Sequence, residues 1–194
     1  FVSLGHGRYE SQCFFCAHAQ AEEGGNTVFR DMRRNKQALT REECAGVLQR
    51  GTAGVLALAG DDGYPYAVPI SYVFDGSKLY FHSAKSGHKL DAIKRYPKAS
   101  FCVIDTDRVV PAEYTTYFRS VIVFGTMRIL QGEEEKGAAI EKLAVKYAPD
   151  DTAENRRKAI AREWTPLCML EMTIDHMTGK EAIELARANR QADE

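Results

Sequence analysis

The feature that most constrains this fold is the close spacing of three apolar segments, at residues 52–59, 66–74 and 78–83. Only short stretches separate them, and Asp75-Gly76 between the second and third is a strong hairpin signal. A parallel βαβ unit needs about 30 residues and a crossover helix, for which there is no room here. We therefore expect antiparallel pairing, most naturally in an antiparallel barrel with peripheral helices.

The rest of the chain continues this mainly β, α+β pattern. Thr40-Arg41-Glu42-Glu43 has the form of a capping box and predicts the start of a short helix. Further apolar segments predict strands at 100–105, 117–130 and 167–174, with a loop at 106–116. Helices are predicted at 40–50, 88–95, 132–147 and 151–163.

The two ends of the chain differ from this pattern. Residues 1–28 show no sustained periodicity and predict an irregular N-terminal arm, followed by one domain over 29–185 and a polar tail over 186–194. Cys13 and Cys16 form a C-x-x-C pattern with His18 nearby, but no second pair completes a metal-ligand set. We therefore expect no metal site.

The cysteine count and the hydropathy suggest where the chain works. Five cysteines is an odd number in a chain of 194 residues, which is not the pattern of a disulfide framework. Free thiols are typical of a reducing compartment, so we expect a cytoplasmic protein. No apolar run approaches the roughly 18 residues of a membrane span, and no membrane association is expected.

The charges are balanced overall but not locally. The chain has 26 Lys and Arg against 27 Asp and Glu, which argues against a nucleic-acid binder. Residues 78–98 nevertheless contain six cations and one acid, a local charge of +5. Such a segment in a neutral chain indicates a small anionic ligand, with a solvated helix face as the alternative.

The best candidate for that ligand site is the loop that ends the strand at 78–83. Ser83 and Ser86 offer hydroxyl groups, while Lys85 and Lys89 supply positive charge. Gly87 precedes a predicted helix, whose free N–H groups favour an anion. The pattern suits a phosphate monoester without being a P-loop, although a surface helix with two solvated lysines would look the same.

We predict that Lys89→Ala weakens phosphate-ligand binding more than Lys94→Ala. Lys89 lies at the helix start, whereas Lys94 is expected to face solvent.

Arg119 and His82 are two further candidate site residues. Arg119 enters an apolar strand and needs an acceptor, which a ligand phosphate or a carboxylate such as Glu113 would provide. His82 lies on a strand between Phe81 and Ser83, where histidines are often structural, but it adjoins the basic loop.

Four runs of this sequence, in order and spacing, resemble the FMN-binding split barrel of the pyridoxamine-5′-phosphate-oxidase superfamily. More narrowly they are similar to its nitroimidazole-resistance reductase branch, which Phe29–Arg34 and Thr178–Glu181 also suit. The runs are Ala67-Val68-Pro69-Ile70-Ser71-Tyr72, Leu79-Tyr80-Phe81-His82-Ser83-Ala84, Gly87-His88-Lys89 and Tyr117-Phe118-Arg119-Ser120-Val121-Ile122-Val123-Phe124-Gly125.

The resemblance implies a six-stranded antiparallel split barrel that forms a homodimer with FMN at the interface. Its implied cofactor-binding residues are Val68, Pro69, Ile70 and Ser71 beside the ring, His82, Ser83, Ala84 and Lys85 along the ring and ribityl chain, His88 and Lys89 at the phosphate, and Arg119 and Ser120 from the neighbouring wall. His82 matches the active-site histidine of the resistance reductases and is the implied catalytic residue. The flavin itself would carry the redox chemistry.

These features favour an FMN-dependent oxidoreductase, nitroreductase-like, that acts on small aromatic or quinoid compounds with NAD(P)H. Two alternatives remain open: a flavin-binding or sensing module without enzymatic activity, and a haem-binding split-barrel protein. True pyridoxamine-phosphate oxidases carry a basic C-terminal stretch that residues 181–194 lack, which argues against vitamin B6 oxidation.

Overall fold

The computed structural model describes residues 28–192, and every element below lies within Asp31–Glu194. The predicted arm at 1–28, with Cys13, Cys16 and His18, therefore lies outside the described residues apart from Val28. Within the described part, no helix is long and apolar enough to cross a membrane.

Seven strands and five α-helices form the domain. The strands are β1 (Ala53–Ala59), β2 (Pro65–Ser71), β3 (Val73–Phe74), β4 (Lys78–Ala84), β5 (Lys98–Val110), β6 (Thr115–Ile129) and β7 (Leu167–Glu181). The helices are α1 (Arg41–Arg50), α2 (His88–Arg95), α3 (Glu133–Tyr147), α4 (Ala153–Glu163) and α5 (Ile183–Ala192), with 3-10 turns at Asn35–Gln37, Asp61–Gly63 and Pro111–Glu113.

All strand pairs are antiparallel, as the short connections predict, and the order across the sheet is β2-β1-β5-β6-β7-β4-β3. The mainly β, antiparallel architecture is confirmed, but the expectation of a six-stranded split barrel was wrong in its number of strands and in the closure of the sheet. The structure has seven strands, and among the described residues no ladder joins β2 to β3 or β4 across the two edges.

The seventh strand arises because the predicted strand at 66–74 breaks at Tyr72. Residues before the break pair with β1, and residues after it pair with β4 at the opposite edge of the sheet. Tyr72 carries the chain between the edges with its side chain fully buried and its phenol donating to the Leu48 carbonyl, 2.9 Å away. Because one residue connects the two edges, the sheet must curl until they are close together.

Tyr147, at the end of α3, holds this break. Its phenol oxygen accepts the Tyr72 N–H at 3.0 Å and lies within hydrogen-bond reach of the Tyr72 and Thr52 carbonyls. The Tyr72 N–H is thus satisfied by a side chain rather than by a neighbouring strand, and the single phenol proton of Tyr147 serves the two carbonyls.

Tyr147→Phe is expected to lower the free energy of unfolding by about 1–2 kcal/mol, because the Tyr72 backbone would lose its partner away from water. Urea denaturation measures this change. Tyr64→Phe is the control, since the Tyr64 side chain is exposed and its hydroxyl should contribute little. Equal midpoints for the two variants would contradict this account of the break.

The core lies inside the curl of the sheet, closed by α1 and α2. Phe101 is its centre, with ring centroids 4.8 Å from Tyr72 and 5.1 Å from Phe81 in edge-to-face arrangements. A second, smaller cluster lies on the other side of the sheet, between β4, β7 and α3, and Trp164 packs against it. At one end of this cluster, residues of α3 and α4 line a cavity.

The helix predictions are confirmed with small shifts, and the Thr40–Glu43 capping box forms in full. Three strands are longer than predicted. β5 and β6 extend into the expected loop at 106–116 and leave only residues 111–114 between them, and β7 continues seven residues beyond Ile174. Residues 186–192 of the predicted tail belong to α5.

Candidate functional site

The segment from the end of β4 to the start of α2 carries the serines, lysines and glycine from which the anion site is predicted. Gly87 has a φ of +123°, a conformation that favours glycine, and α2 begins immediately after it. Among the described residues, no side chain caps this helix start. The N–H groups of His88 and Lys89 are therefore available to an anion, in the field of the helix dipole.

Lys89 turns back from this helix toward β4. Its ammonium lies 3.5 Å from the Ser83 hydroxyl, and the side chain is half-buried. Burial lowers the pKa of Lys89 below its ordinary value. A bound anion would reverse this effect, because an opposite charge stabilises the ammonium form.

Beside Lys89 lies a cavity of about 340 Å³ with a cationic wall. It is lined by Lys85, Leu90, Lys94, Ile129, Leu130, Gln131, Glu133, Lys136, Leu167 and Cys168. Within residues 28–192, none of Lys85, Lys89, Lys94 and Lys136 forms an ion pair with a carboxylate. We call these four residues the lysine cluster.

Cys168 is the point that the lysine cluster surrounds. It pairs with Ser83 across β4 and β7, and all four lysines act electrostatically on its thiol. Burial nevertheless raises the pKa of Cys168, because the cost of desolvating a thiolate exceeds the attraction of the lysines. The Cys168 thiol that lines the cavity is therefore uncharged and does not neutralise the positive charge of the lysines.

Lys94 and Lys136 were missed as site residues. Lys94 is exposed, as expected, but it lines the same cavity as Lys85. Lys136 is only 6% exposed and comes from α3, where its ammonium donates to the Trp164 carbonyl at 3.3 Å and lies 4.0 Å from the indole ring centroid. A signal existed in the sequence: Lys136 lies on the same helix face as the buried Ala139 and Leu143.

His82 and Ser71 meet at a second cavity, of about 350 Å³. Its other lining residues come from α3, α4 and the start of β7: Ile140, Leu143, Ala144, Tyr147, Ala159, Ile160, Glu163 and Leu167. The curl of the sheet brings His82 and Ser71 together, since β2 and β4 are not neighbours in the strand order. We call this the helical cavity.

The two cavities lie side by side, because Leu167 lines both. Successive side chains of a strand point to opposite faces, so Ser83 lies on the Lys89 side of β4 and His82 on the other. Ala84, which pairs with Leu167, ends the strand between them. A ligand that passes the end of β4 would therefore reach from the lysine cluster to His82.

The residues that the resemblance places beside a ring, Val68, Pro69, Ile70 and Ser71, lie on β2, the edge of the sheet. Pro69 lacks an N–H group, which suits an edge strand. The other side of β2 is paired with no described strand, so its backbone groups can serve a ligand.

His88 and Arg119 already have protein partners. The His88 ring stacks on Tyr66 with 4.1 Å between centroids, and its Nε2 lies 3.3 Å from an Asp61 carboxylate oxygen. Arg119 donates twice to the buried Glu181, at 2.7 and 3.0 Å.

The acceptor of Arg119 is thus Glu181 rather than Glu113, whose carboxylate instead accepts from Tyr117 at 2.8 Å. Ser120 is the next residue on β6 and pairs with Lys180 of β7. The structure places Arg119 and Ser120 on β6, outside the linings of both cavities described above.

Another surface of the sheet is apolar and open. Val55, Cys102 and Ile122 are direct neighbours across β1, β5 and β6. Val55 and Ile122 are 37% and 39% exposed, and Phe124, two residues along β6, is 36% exposed. Contiguous apolar exposure of this kind is typical of an interaction surface.

No group of His, Cys, Asp and Glu side chains within residues 28–192 could hold a metal ion. The chemistry available is instead a cationic anion site, an edge strand with free backbone groups, and a histidine at an apolar cavity. These features lie on a curled sheet whose strands all pair antiparallel within the described residues.

A comparison with known families identifies the family of the chain. The family model described as pyridoxamine 5′-phosphate oxidase matches residues 40–181, and the chain belongs to this family. An uncharacterised protein of Rhizobium meliloti is 36% identical over 91 residues, which are 46% of this chain and 54% of that protein. The chain therefore spans about half the length of this curated relative.

Solved structures share the fold. A protein assigned to 5-nitroimidazole antibiotic resistance in Bacteroides thetaiotaomicron superposes with a TM-score of 0.61 at 19% identity, over 74% of this chain and 86% of the other. The FAD and haem binding protein of Mycobacterium smegmatis superposes with a TM-score of 0.62 at 26% identity, over 76% of this chain and 73% of the other.

Proposed function

We propose that this chain is a flavin-binding protein that holds FMN and acts as an oxidoreductase on small aromatic or quinoid compounds. The observation that carries the proposal is the lysine cluster beside the uncapped start of α2. The ammonium groups of Lys85 and Lys89, two helix N–H groups and the Ser83 hydroxyl fit the donor requirements of a phosphate monoester. Family membership supports a flavin as the molecule that carries this phosphate.

The free side of β2, next to the helical cavity, suits the rest of such a cofactor. The polar edge of an isoalloxazine ring needs donors and acceptors, which the free side of β2 at Val68–Ser71 supplies. His82 lies where it could donate a hydrogen bond to the ring or to a substrate. A bound flavin would supply the two-electron chemistry, and these residues would orient it and limit access of water.

The apolar surface at Val55, Ile122 and Phe124 supports a homodimer. A second copy would remove these side chains from water, at about 25 cal/mol per Å² of apolar area. The proposed assembly holds the flavin at this interface, with Arg119 and Ser120 contributing from the neighbouring wall.

The test is an absorbance spectrum of the purified protein, followed by FMN titration of the flavin-free form. We expect flavin bands near 370 and 450 nm, release of FMN on denaturation, and 1:1 binding per chain. Reduction by NAD(P)H, followed by reoxidation with a quinone, tests the oxidoreductase assignment. A colourless protein that takes up no added FMN contradicts flavin binding, and bound FMN that never turns over contradicts only the enzymatic part.

A further inference from the structure

We propose that the helical cavity binds the substrate rather than the flavin, and that it selects neutral, apolar ring compounds with a hydrogen-bonding oxygen, such as quinones. The proposal rests on the function proposed above for the identity of the reaction. The binding site itself follows from the lining of the cavity. Its volume of about 350 Å³ falls at the lower end of the range for small-molecule sites.

The polar side chains of this cavity are few: Ser71 and His82, Tyr147, whose phenol is already bonded to the Tyr72 backbone, and Glu163. Ser71 and His82 come from the strands, whereas α3 contributes Ile140, Leu143 and Ala144. An oxygen-bearing ring would place its oxygen at Ser71 and His82 and its apolar body against α3. This division between a polar wall and an apolar wall is typical of sites that orient a small ligand.

The same lining disfavours two other occupants, a flavin ring and an anion. An isoalloxazine ring would leave most of its polar edge without partners against α3 and α4, which is costly. An anion would meet no Lys or Arg in this lining, because Lys85, Lys94 and Lys136 line the other cavity and Glu163 adds a negative charge at this one. A neutral apolar ligand fits without either penalty.

Helix α4 forms the outer wall and is lightly attached. It contributes Ala159, Ile160 and Glu163 to the cavity, yet none of its residues is fully buried. Arg156 links it to α3 through Glu141 at 3.0 Å. Small displacements of α4 would therefore admit a ligand without disturbing the main core.

Trp164 provides a direct measure of binding that needs no flavin. It is the single tryptophan of the chain, follows Glu163, and packs with Ile140 against the cluster that contains Leu143 and Leu167. A quinone in the helical cavity is expected to quench its fluorescence. The probes are 2-methyl-1,4-naphthoquinone, which is neutral, and 1,4-naphthoquinone-2-sulfonate, which is anionic.

The decisive variants are Ala144→Phe, which fills the cavity, and Val145→Phe on the same helix. Val145 is 44% exposed and lies outside the lining, so it is the matched control. We expect Ala144→Phe to raise the Kd of the neutral quinone at least tenfold and Val145→Phe to change it less than twofold. Ala159→Phe is a second filling variant, at an exposed position of α4 that tolerates a larger side chain without loss of the fold.

The measured affinities for FMN and for the two quinones test the proposal. FMN affinity should stay within twofold in all three variants, and the anionic quinone should bind the unsubstituted protein at least tenfold more weakly than the neutral one. Filling variants that lose FMN as strongly as quinone would assign the cavity to the flavin and overturn the proposal. Unchanged quinone affinity, or equal affinity for the two quinones, would overturn it as well. If the protein binds quinone at this cavity but no FMN, only the proposed function fails.

Discussion

Lys89→Glu is expected to raise the Kd of FMN by at least about 100-fold, which corresponds to about 2.7 kcal/mol. The Lys89 ammonium lies 3.5 Å from the Ser83 hydroxyl and beside the free N–H groups of α2, where the phosphate is proposed to bind. The change removes a charge-assisted hydrogen bond and adds a repelling carboxylate. Fluorescence titration of the flavin-free protein at pH 7 measures the effect.

The control for this variant must be a lysine that lies outside the cavity beside Lys89. Lys94 is unsuitable because it lines the cavity beside Lys89, so Lys94→Ala is expected to weaken FMN binding by a smaller factor than Lys89→Ala rather than to leave it unchanged. Lys158 on α4 is the better control, since it is highly exposed and pairs with Glu154. A Lys89→Glu protein that folds and binds FMN as tightly as Lys158→Glu would refute the phosphate assignment.

Gly125→Ala is expected to be the most damaging conservative substitution in the sheet, with a loss of about 2–4 kcal/mol in the free energy of unfolding. Gly125 lies where the register between β6 and β7 shifts. A Cβ at this position would overlap the Thr173 carbonyl oxygen and press on the Met172 side chain at 3.0 Å. Because the nearest obstacle is backbone, the strands themselves would have to separate.

Gly137→Ala is the control, and it is expected to change the free energy of unfolding in the opposite direction. Gly137 lies inside α3, and the nearest atom to an added Cβ is 3.8 Å away on Trp164. Alanine at this position should stabilise the protein by up to about 1 kcal/mol, because glycine is the poorer helix former. Urea denaturation of both variants is the measurement. Similar midpoints for the two would show that the sheet accommodates the Cβ.

Local signals account for the parts of the fold that the sequence predicted well. The Thr40–Glu43 capping box involves residues three apart, and the hairpin at Asp75-Gly76 depends on a turn of adjacent residues. Such signals act over a few positions and can be identified without knowledge of the fold. The break at Tyr72 cannot, because the group that satisfies its backbone belongs to Tyr147, 75 residues away.

The candidate site likewise contains residues that the local sequence predicted and residues that only the packing of the fold brings together. Ser83, Lys85 and Lys89 lie within seven positions, and their composition was enough to predict an anion site. Lys136 joins them only because α3 packs across the sheet and brings a lysine to Cys168 from a distant segment. Arg119 was recognised as needing an acceptor, but Glu181 became that acceptor through the pairing of β6 with β7.

By itself, the sequence determined an antiparallel, mainly β domain with a basic loop at the end of one strand, because short connections and local charge are properties of neighbouring residues. The tertiary structure alone decided that the sheet would have seven strands without closing. It also decided that Ser71 would face His82 across the gap between its edges, and that two cavities of different polarity would adjoin at Leu167. These are consequences of how the sheet curls, which depends on the packing of side chains far apart in the chain.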